Sequence, residues 1–146
     1  MNRKRIENHS FSLSHLVKDI DQIEQAISEL AEKWDVDEKS LFQLNLVLEE
    51  LISNTMFYGF KDRDKGIILV DMSYDDSHIH VSIADDALAF DPTVEVDMDK
   101  GLELDERQIG GLGIMLSQQI SEDMTYSYTD GKNNMSFKIR LNDKSK

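Results

Sequence analysis

The chain contains 146 residues, and 16 Lys and Arg against 29 Asp and Glu give it a formal net charge of −13. That length is typical of one domain, and the absence of Cys excludes a disulfide scaffold, a thiol nucleophile and a Cys-ligated metal site. The acidic excess disfavours nucleic-acid binding, and the chain shows neither a signal peptide nor the roughly 20 apolar residues of a membrane helix.

These features predict a cytoplasmic globular domain over residues 1–146, with an ordered core at about residues 10–141. Its first element is an amphipathic helix, because apolar residues recur at three- and four-residue steps over residues 16–34. Asp35 and Glu38 have the spacing of a capping box. A second helix is therefore predicted from this point to about Gly59.

Apolar and polar residues alternate in two pairs of segments that follow the helices. They predict four strands, at residues 67–74, 79–84, 124–129 and 135–141. The last two strands flank a hairpin turn at residues 130–133. Residues 85–109 are acidic and lack a clear period, which is typical of a lid or a binding loop. The glycine-rich residues 110–113 close this loop and lead into a third helix at residues 114–120.

This order of elements predicts an α+β fold, in which helices cover one face of a largely antiparallel sheet. Three motifs within it carry the candidate chemistry, and the first lies on the second helix. Glu50 and Asn54 are separated by about 40° around the helix axis. An amide oxygen and a carboxylate so placed can share a hard cation, with the carboxylate as a general base. A solvated helix face is the alternative interpretation.

The second motif directly follows a predicted strand and begins at Asp85. A carboxylate at a strand end often accepts a ligand's hydrogen bonds, although such side chains also satisfy turns. The third motif, Gly-Gly-Leu-Gly-Ile, occupies residues 110–114. Glycines allow close backbone approach and a helix N-terminus offers free N–H groups, so this motif predicts a phosphate site. The missing Lys excludes a Walker P-loop, and the missing preceding strand excludes a dinucleotide loop.

Together and in this order, the motifs resemble those of the GHKL ATPase superfamily, and in detail those of the stand-alone bacterial anti-sigma-factor serine kinases. Residues 44–59 are similar to the family's N-box, residues 81–92 to its first glycine box and residues 107–114 to its second. Residues 131–136 are similar to its terminal hairpin. The resemblance implies a two-layer Bergerat fold, with three helices on one face of the sheet and ATP between the helical layer and a lid.

The resemblance also implies a role for each matching residue. Asn54 would bind Mg²⁺ through its amide oxygen, Glu50 would orient or deprotonate the attacking hydroxyl, and Asp85 would accept a hydrogen bond from the adenine amino group. Ser136, in the family's Thr position, would assist Asp85, and Arg107 would approach the γ-phosphate. The implied nucleotide-binding residues are completed by Ala87, Gly110, Gly111, Leu112, Gly113 and Ile114.

Two alanines depart from the family pattern. Ala87 stands where the first glycine box has Gly, and Ala89 stands where Gly or Pro is usual. If that backbone needs a positive φ, a β-carbon costs on the order of 1 kcal/mol and weakens nucleotide binding about tenfold. Tyr58 replaces the His that is common in the N-box.

The resemblance thus implies an ATP- and Mg²⁺-dependent serine/threonine protein kinase that phosphorylates a small STAS-type antagonist protein and sequesters a sigma factor. A homodimer is a further implication, whereas nucleic-acid and membrane partners are not expected. One alternative is a weakly nucleotide-binding, partner-switching module that acts by sequestration. Another is an ATPase that regulates a phosphatase or cyclase pathway. A histidine kinase fragment is disfavoured, because no phosphoacceptor helix precedes the motifs.

Overall fold

The structure is a computed structural model that describes residues 8–93 and 106–142, without the side chains of residues 106–112. Its elements in chain order are β1 (His9–Ser14), a 3₁₀ turn (Val17–Ile20), α1 (Asp21–Lys33), α2 (Glu38–Asn54), a π-helical turn (Thr55–Gly59), β2 (Ile67–Tyr74), β3 (His78–Asp85), α3 (Glu106–Ile120), β4 (Glu122–Thr129) and β5 (Lys132–Arg140). The five strands form one antiparallel sheet in the order β1-β2-β3-β5-β4. The predicted α+β fold is confirmed.

One hydrophobic core joins the helices to one face of the sheet. Because side chains alternate across a strand, β2 buries Ile68, Val70 and Met72 while Ile67 and Leu69 stay exposed on the opposite face. Helix α2 supplies the largest share of the core from the helical side, through Leu41, Leu44, Val47, Leu48, Leu51 and Ile52. Each such apolar side chain contributes about 1.5–3 kcal/mol when fully buried, so α2 is the helix that holds the two layers together.

Strand β1 is absent from the predictions, although its sequence carries a signal for it. His9, Phe11 and Leu13 alternate with the serines at positions 10, 12 and 14, and Leu13 is buried. This is the period of a half-buried strand. Strand β2 has the predicted bounds, and β3 extends one residue further at each end.

Strand β5 begins earlier than predicted, because the hairpin before it is tighter. Asp130 and Gly131 both have positive φ, 57° and 76°, which is the backbone of a two-residue turn. Lys132 and Asn133 therefore belong to the strand rather than to the turn. The earlier start brings Asn133 into the ladder opposite Asp85.

The first predicted helix divides into the 3₁₀ turn and α1, and α2 begins later than the predicted capping box. Trp34 and Val36 are both buried, so the chain runs extended through them and turns into the helix only after Asp37. Asp37 is the N-cap, and its carboxylate accepts from the Ser40 N–H (2.9 Å) and hydroxyl (2.7 Å). The predicted cap at Asp35 is wrong.

Asp37 also joins the beginning of α2 to the residue that follows β5. Its carboxylate accepts from the Asn142 backbone N–H (2.9 Å) and side-chain amide (3.2 Å). Burial opposes the ionisation of Asp37, but the hydrogen bonds from Ser40 and Asn142 outweigh it and lower the pKa of this carboxyl to about 2. The ionised form is therefore the one that stabilises the fold.

We expect Asp37→Ala to lower the free energy of unfolding by about 1–2 kcal/mol at neutral pH, because helix α2 loses its cap. The folded-state pKa of Asp37 lies below its unfolded value. The loss is therefore complete above about pH 4 and disappears as the pH falls through about 2. Urea unfolding at about pH 7 and about pH 3 measures this, with Asp35→Ala as the control outside the cap. A difference that stays constant between the two pH values would contradict it.

Helix α3 begins at Glu106, before the predicted start at residue 114, so the glycine-rich residues 110–113 lie inside it. Glycine costs about 1 kcal/mol relative to Ala in a helix interior, and tertiary packing against α2 overrides this. Gln118 also donates to the Pro92 carbonyl (2.6 Å) and so ties α3 to the segment after β3. Residues 94–105 of the predicted lid or binding loop lie outside the described residues.

No helix within residues 8–93 and 106–142 combines the length and the apolar character that a membrane crossing requires.

Candidate nucleotide-binding site

A pocket opens between the end of α2, the segment after β3 and the beginning of β5. Its lining includes Asn54, Tyr58, Asp85, Ala87, Ile114 and Asn133. The structure thus brings predicted residues from all three motifs to one cavity, since Asn54 comes from the first, Asp85 and Ala87 from the second, and Ile114 from the third.

Asp85 is the buried carboxylate of this pocket, with 7% of its surface exposed. Its Oδ1 accepts from the Asn133 side-chain amide (2.8 Å) and from the Ala87 N–H (3.0 Å). Burial raises the pKa of Asp85, the two hydrogen bonds oppose the shift, and the charge of Asp86 adds to it. A buried acceptor of this kind favours a ligand that donates a hydrogen bond.

Asn133 is the pocket residue that the predictions assigned to the hairpin without a role. It lies opposite Asp85 in the β3–β5 ladder and is itself buried. Its Nδ2 also donates to the carbonyls of Ala87 (3.2 Å) and Leu88 (3.1 Å). The signal that could have found Asn133 is the Asp130-Gly131 pair, which favours a two-residue turn. With the turn at these two residues, Asn133 belongs to the strand and its pairing partner is set by the ladder.

Ser136 does not reach Asp85. It lies three residues beyond Asn133 on the same strand, and an odd spacing places the two side chains on opposite faces of the sheet. Ser136 pairs with Ser82 in the ladder, and its hydroxyl bonds to that of Thr125 (2.7 Å). The expected assistance from Ser136 is therefore wrong, and Asn133 occupies the position beside Asp85.

The N-box motif ends in a π-helical turn at Thr55–Gly59, directly after Asn54. Such turns are rare in proteins, and those that occur often lie at functional sites. Asn54, at the end of α2, and Tyr58, within this turn, both line the pocket. Glu50, one helical turn earlier, lies against α3, where a β-carbon added at Gly113 would overlap its carboxylate. The structure thus brings Glu50 to the second glycine box.

Ala87 shows none of the predicted strain. Among the described residues, positive φ occurs at Asp62, Asp123, Asp130 and Gly131, so Ala87 has an ordinary backbone. Its methyl group faces Gly59, where an added β-carbon would lie 2.8 Å from it. The Leu88 N–H donates to the Gly59 carbonyl (3.1 Å), which holds the two segments together. Gly59 therefore provides the space that Ala87 occupies.

We expect Gly59→Ala to lower the free energy of unfolding by about 1–3 kcal/mol, because two β-carbons would compete for one space. Ala87→Gly in the same chain should recover most of this loss. Ala87→Gly alone should change ATP affinity less than about threefold, since no backbone strain is relieved. Urea unfolding of the four proteins in a double-mutant cycle measures the coupling. Additive effects of the two substitutions would contradict the size-complementary pair.

Comparison with known proteins agrees with this geometry. Residues 13–139, which make up most of the chain, match the sequence profile of the histidine kinase-like ATPase domain. The chain belongs to this family. It is 26% identical over 106 residues to the serine/threonine-protein kinase BtrW of Bordetella bronchiseptica, and the match covers 73% of each chain. It is 24% identical over 110 residues to the serine-protein kinase RsbW of Listeria monocytogenes, covering 73% of this chain and 70% of the relative.

The second glycine box of this histidine kinase-like ATPase domain is helical. The backbones of Arg107, Gly110, Gly111 and Leu112 lie within α3, and their side chains are outside the described part of the chain. Gly113 contacts Glu50, and Ile114 is buried at the pocket wall. Inside a helix, N–H groups donate to carbonyls one turn earlier. The predicted contacts of residues 110–114 with phosphates stay predictions.

A Mg²⁺ ion fits this ATPase domain only with the help of a nucleotide. Among the side chains that the structure describes, no group of three His, Asp or Glu converges to hold a metal. Asn54 offers the pocket one amide oxygen. Mg²⁺ keeps several waters and is commonly held by one or two protein ligands and substrate phosphates, so a single Asn agrees with that mode of binding.

Proposed function

We propose that the chain is an ATP-dependent serine/threonine protein kinase. The observation that carries the proposal is the buried Asp85 acceptor in the same pocket as Asn54. Asp85 offers an acceptor for the amino group of adenine, and Asn54 offers an oxygen ligand for Mg²⁺ beside the phosphates. The relatives named as serine and serine/threonine kinases support the same reaction.

Each proposed role follows from the chemistry of its side chain. Asp85 accepts from the adenine amino group, and Asn54 holds Mg²⁺. When bound, Mg²⁺ neutralises phosphate charge that a protein of net charge −13 would otherwise repel. Glu50 orients the substrate hydroxyl and accepts its proton, and Arg107 stabilises the charge on the γ-phosphate. Contact of the backbone amides of residues 110–114 with the phosphates requires that these amides give up their hydrogen bonds within α3.

The proposed protein substrate is a small STAS-type antagonist, and the proposed sequestered partner is a sigma factor. Both come from the resemblance to anti-sigma-factor serine kinases, as does homodimer formation. The alternative, a sequestration module with weak nucleotide binding, is motivated by Ala87 and Ala89 in the first glycine box. Neither alanine has a positive φ, so backbone strain at these positions does not favour the alternative. The relatives named as kinases support kinase activity.

Calorimetric titration of ATP with and without Mg²⁺ tests the proposal. We expect binding that is strengthened by Mg²⁺, and an Asn54→Ala protein in which this Mg²⁺ effect is lost with a fall in ATP affinity of about tenfold. Ser53→Ala is the matched control, because Ser53 is the neighbour whose hydroxyl bonds within α2 to the Glu50 carbonyl. No detectable heat at millimolar ATP would overturn the proposal in favour of the sequestration module.

A further inference from the structure

The side chain of Asn133 uses both ends of its amide. Nδ2 donates to Asp85 Oδ1 and to the carbonyls of Ala87 and Leu88. Oδ1 accepts from the Phe90 N–H (3.1 Å) and from the Tyr126 hydroxyl. An Asn side chain has two N–H donors and two acceptor lone pairs, so its capacity is full. A flipped amide would place an oxygen against a carboxylate and two carbonyls.

This arrangement fixes what Asp85 can offer a ligand. Within the described residues, both hydrogen bonds to the Asp85 carboxylate reach Oδ1, which leaves Oδ2 as the acceptor for the pocket. One acceptor oxygen suits the one N–H that a 6-amino group directs toward it, with no second N–H on the adjacent ring nitrogen. A base that offers two adjacent N–H groups, such as guanine, needs both carboxylate oxygens. Asn133 occupies one of them.

The same amide fixes the backbone that follows β3. The beginning of this segment is held by buried Ala87 and by the bond from the Leu88 N–H to the Gly59 carbonyl, while the Leu88 side chain itself is 61% exposed. From the other side, Asn133 bonds to two carbonyls and one N–H of residues 87–90. Residues 87–90 form one wall of the pocket. Through the bonds from Asn133, the position of this wall depends in part on a side chain of another strand.

We propose that Asn133 determines the preference of the pocket for a 6-aminopurine over guanine, by occupying Asp85 Oδ1 and holding the backbone of residues 87–90. Asn133 is thus a positioning residue that acts through Asp85. The inference rests on the proposed nucleotide function and goes beyond it, because it assigns the base selectivity to a residue outside the three sequence motifs.

The test compares the affinities of ATP, of purine riboside triphosphate, which lacks the 6-amino group, and of GTP. In the wild type we expect removal of the amino group to weaken binding about tenfold or more, the effect of one hydrogen bond to a charged acceptor. In Asn133→Ala this ratio should fall below about threefold, and the discrimination against GTP should fall with it. Asn134→Ala is the matched control, because Asn134 is the next residue on β5, is exposed, and its side chain donates to the Lys132 carbonyl rather than to the pocket.

A second readout separates positioning from general loss of structure. Asn133 favours the ionised form of Asp85, while Asp86 disfavours it and the Tyr126 hydroxyl bonds to Asn133 rather than to the carboxylate. In Asn133→Ala, the acid limb of the pH profile of ATP binding should therefore move to higher pH. In Asn134→Ala the limb should stay in place.

The outcomes distinguish the two proposals. A wild type that binds no ATP overturns the proposed function and this inference together. A wild type that prefers ATP, with a folded Asn133→Ala protein of equal preference, overturns only the inference. If Asn133→Ala does not fold, Tyr126→Phe decides, since it removes one bond that orients the amide. We expect it to reduce the amino-group ratio about two- to threefold, and an unchanged ratio would overturn the inference.

Discussion

Asp85→Asn should lower ATP affinity at least about 100-fold, since it replaces an acceptor in the pocket by a donor. The new side chain can keep its oxygen toward Asn133 and the Ala87 N–H, which are the donors that now bond to Oδ1. Its amide nitrogen then faces the adenine amino group, and neither group can accept. Calorimetric titration of ATP measures the loss.

The same substitution should leave the folded protein as stable as the wild type or more stable at neutral pH. The folded-state pKa of Asp85 is raised by burial, so the native state binds this proton more tightly than the unfolded state. Its stabilising contribution is present below the unfolded pKa and is lost as the pH rises through the folded pKa. Asn carries no such charge, so the stability gained by Asp85→Asn should increase with pH.

Asp86→Asn is the matched control for the ATP titration. Its Oδ1 accepts from the Ile67 N–H (3.0 Å), a bond that Asn can keep, and we expect ATP affinity within about threefold of the wild type. Urea unfolding at about pH 5 and about pH 8 measures the stability effect. If Asp85→Asn binds ATP as tightly as the wild type, Asp85 is not the acceptor for the adenine base. If Asp85→Asn is less stable than the wild type at neutral pH, burial of the ionised Asp85 carboxylate does not destabilise the fold.

Glu50→Gln should slow phosphoryl transfer about 10²- to 10⁴-fold, because the amide cannot accept the proton of the substrate hydroxyl. Since Glu50 lies against Gly113 rather than among the side chains named above as lining the Asp85 pocket, ATP affinity should change less than about threefold. The measurement is single-turnover transfer from labelled ATP to a STAS-type antagonist protein.

Glu49→Gln controls for charge at this end of α2. Glu49 accepts from the Asn45 amide (3.4 Å) on the same helix, so its replacement removes one negative charge without touching α3. We expect its transfer rate to stay within about threefold of the wild type. Equal rates in Glu50→Gln and the wild type would show that proton acceptance by Glu50 is not part of the reaction.

Local patterns were sufficient to predict most of the fold. The periodicities at α1, α2, β2 and β3 are long, and they correctly predict the type of each element. The N-cap at Asp37 was missed because burial of Trp34 and Val36, a tertiary effect, delays the start of the helix. The start of α3 was missed for a similar reason, since packing on α2 outweighs the low helix propensity of glycine.

The candidate site was predictable where a motif is contiguous and not where strands meet. Asn54 and Asp85 come from contiguous motifs, and both line the pocket. Whether Ser136 or Asn133 lies beside Asp85 depends on the length of the turn at residues 130–131 and on the register across β3 and β5. A change of one residue in either moves every β5 side chain to the other face. That Ala87 fits without strain could not be predicted, because its methyl group occupies the space left by Gly59, which is remote in sequence.

The order of strands in the sheet constrains when the protein can act during its own synthesis. Strand β5 is the last of the elements that the structure describes, yet it lies between β3 and β4. Until the ribosome has released residues 132–140, the edge of β3 is unpaired and β4 has no neighbour in the sheet. Asp85 then also lacks Asn133. We therefore expect a fragment that ends before residue 133 to bind ATP more weakly than the chain that includes β5, because the Asp85 pocket then lacks the side chains that β5 contributes to it.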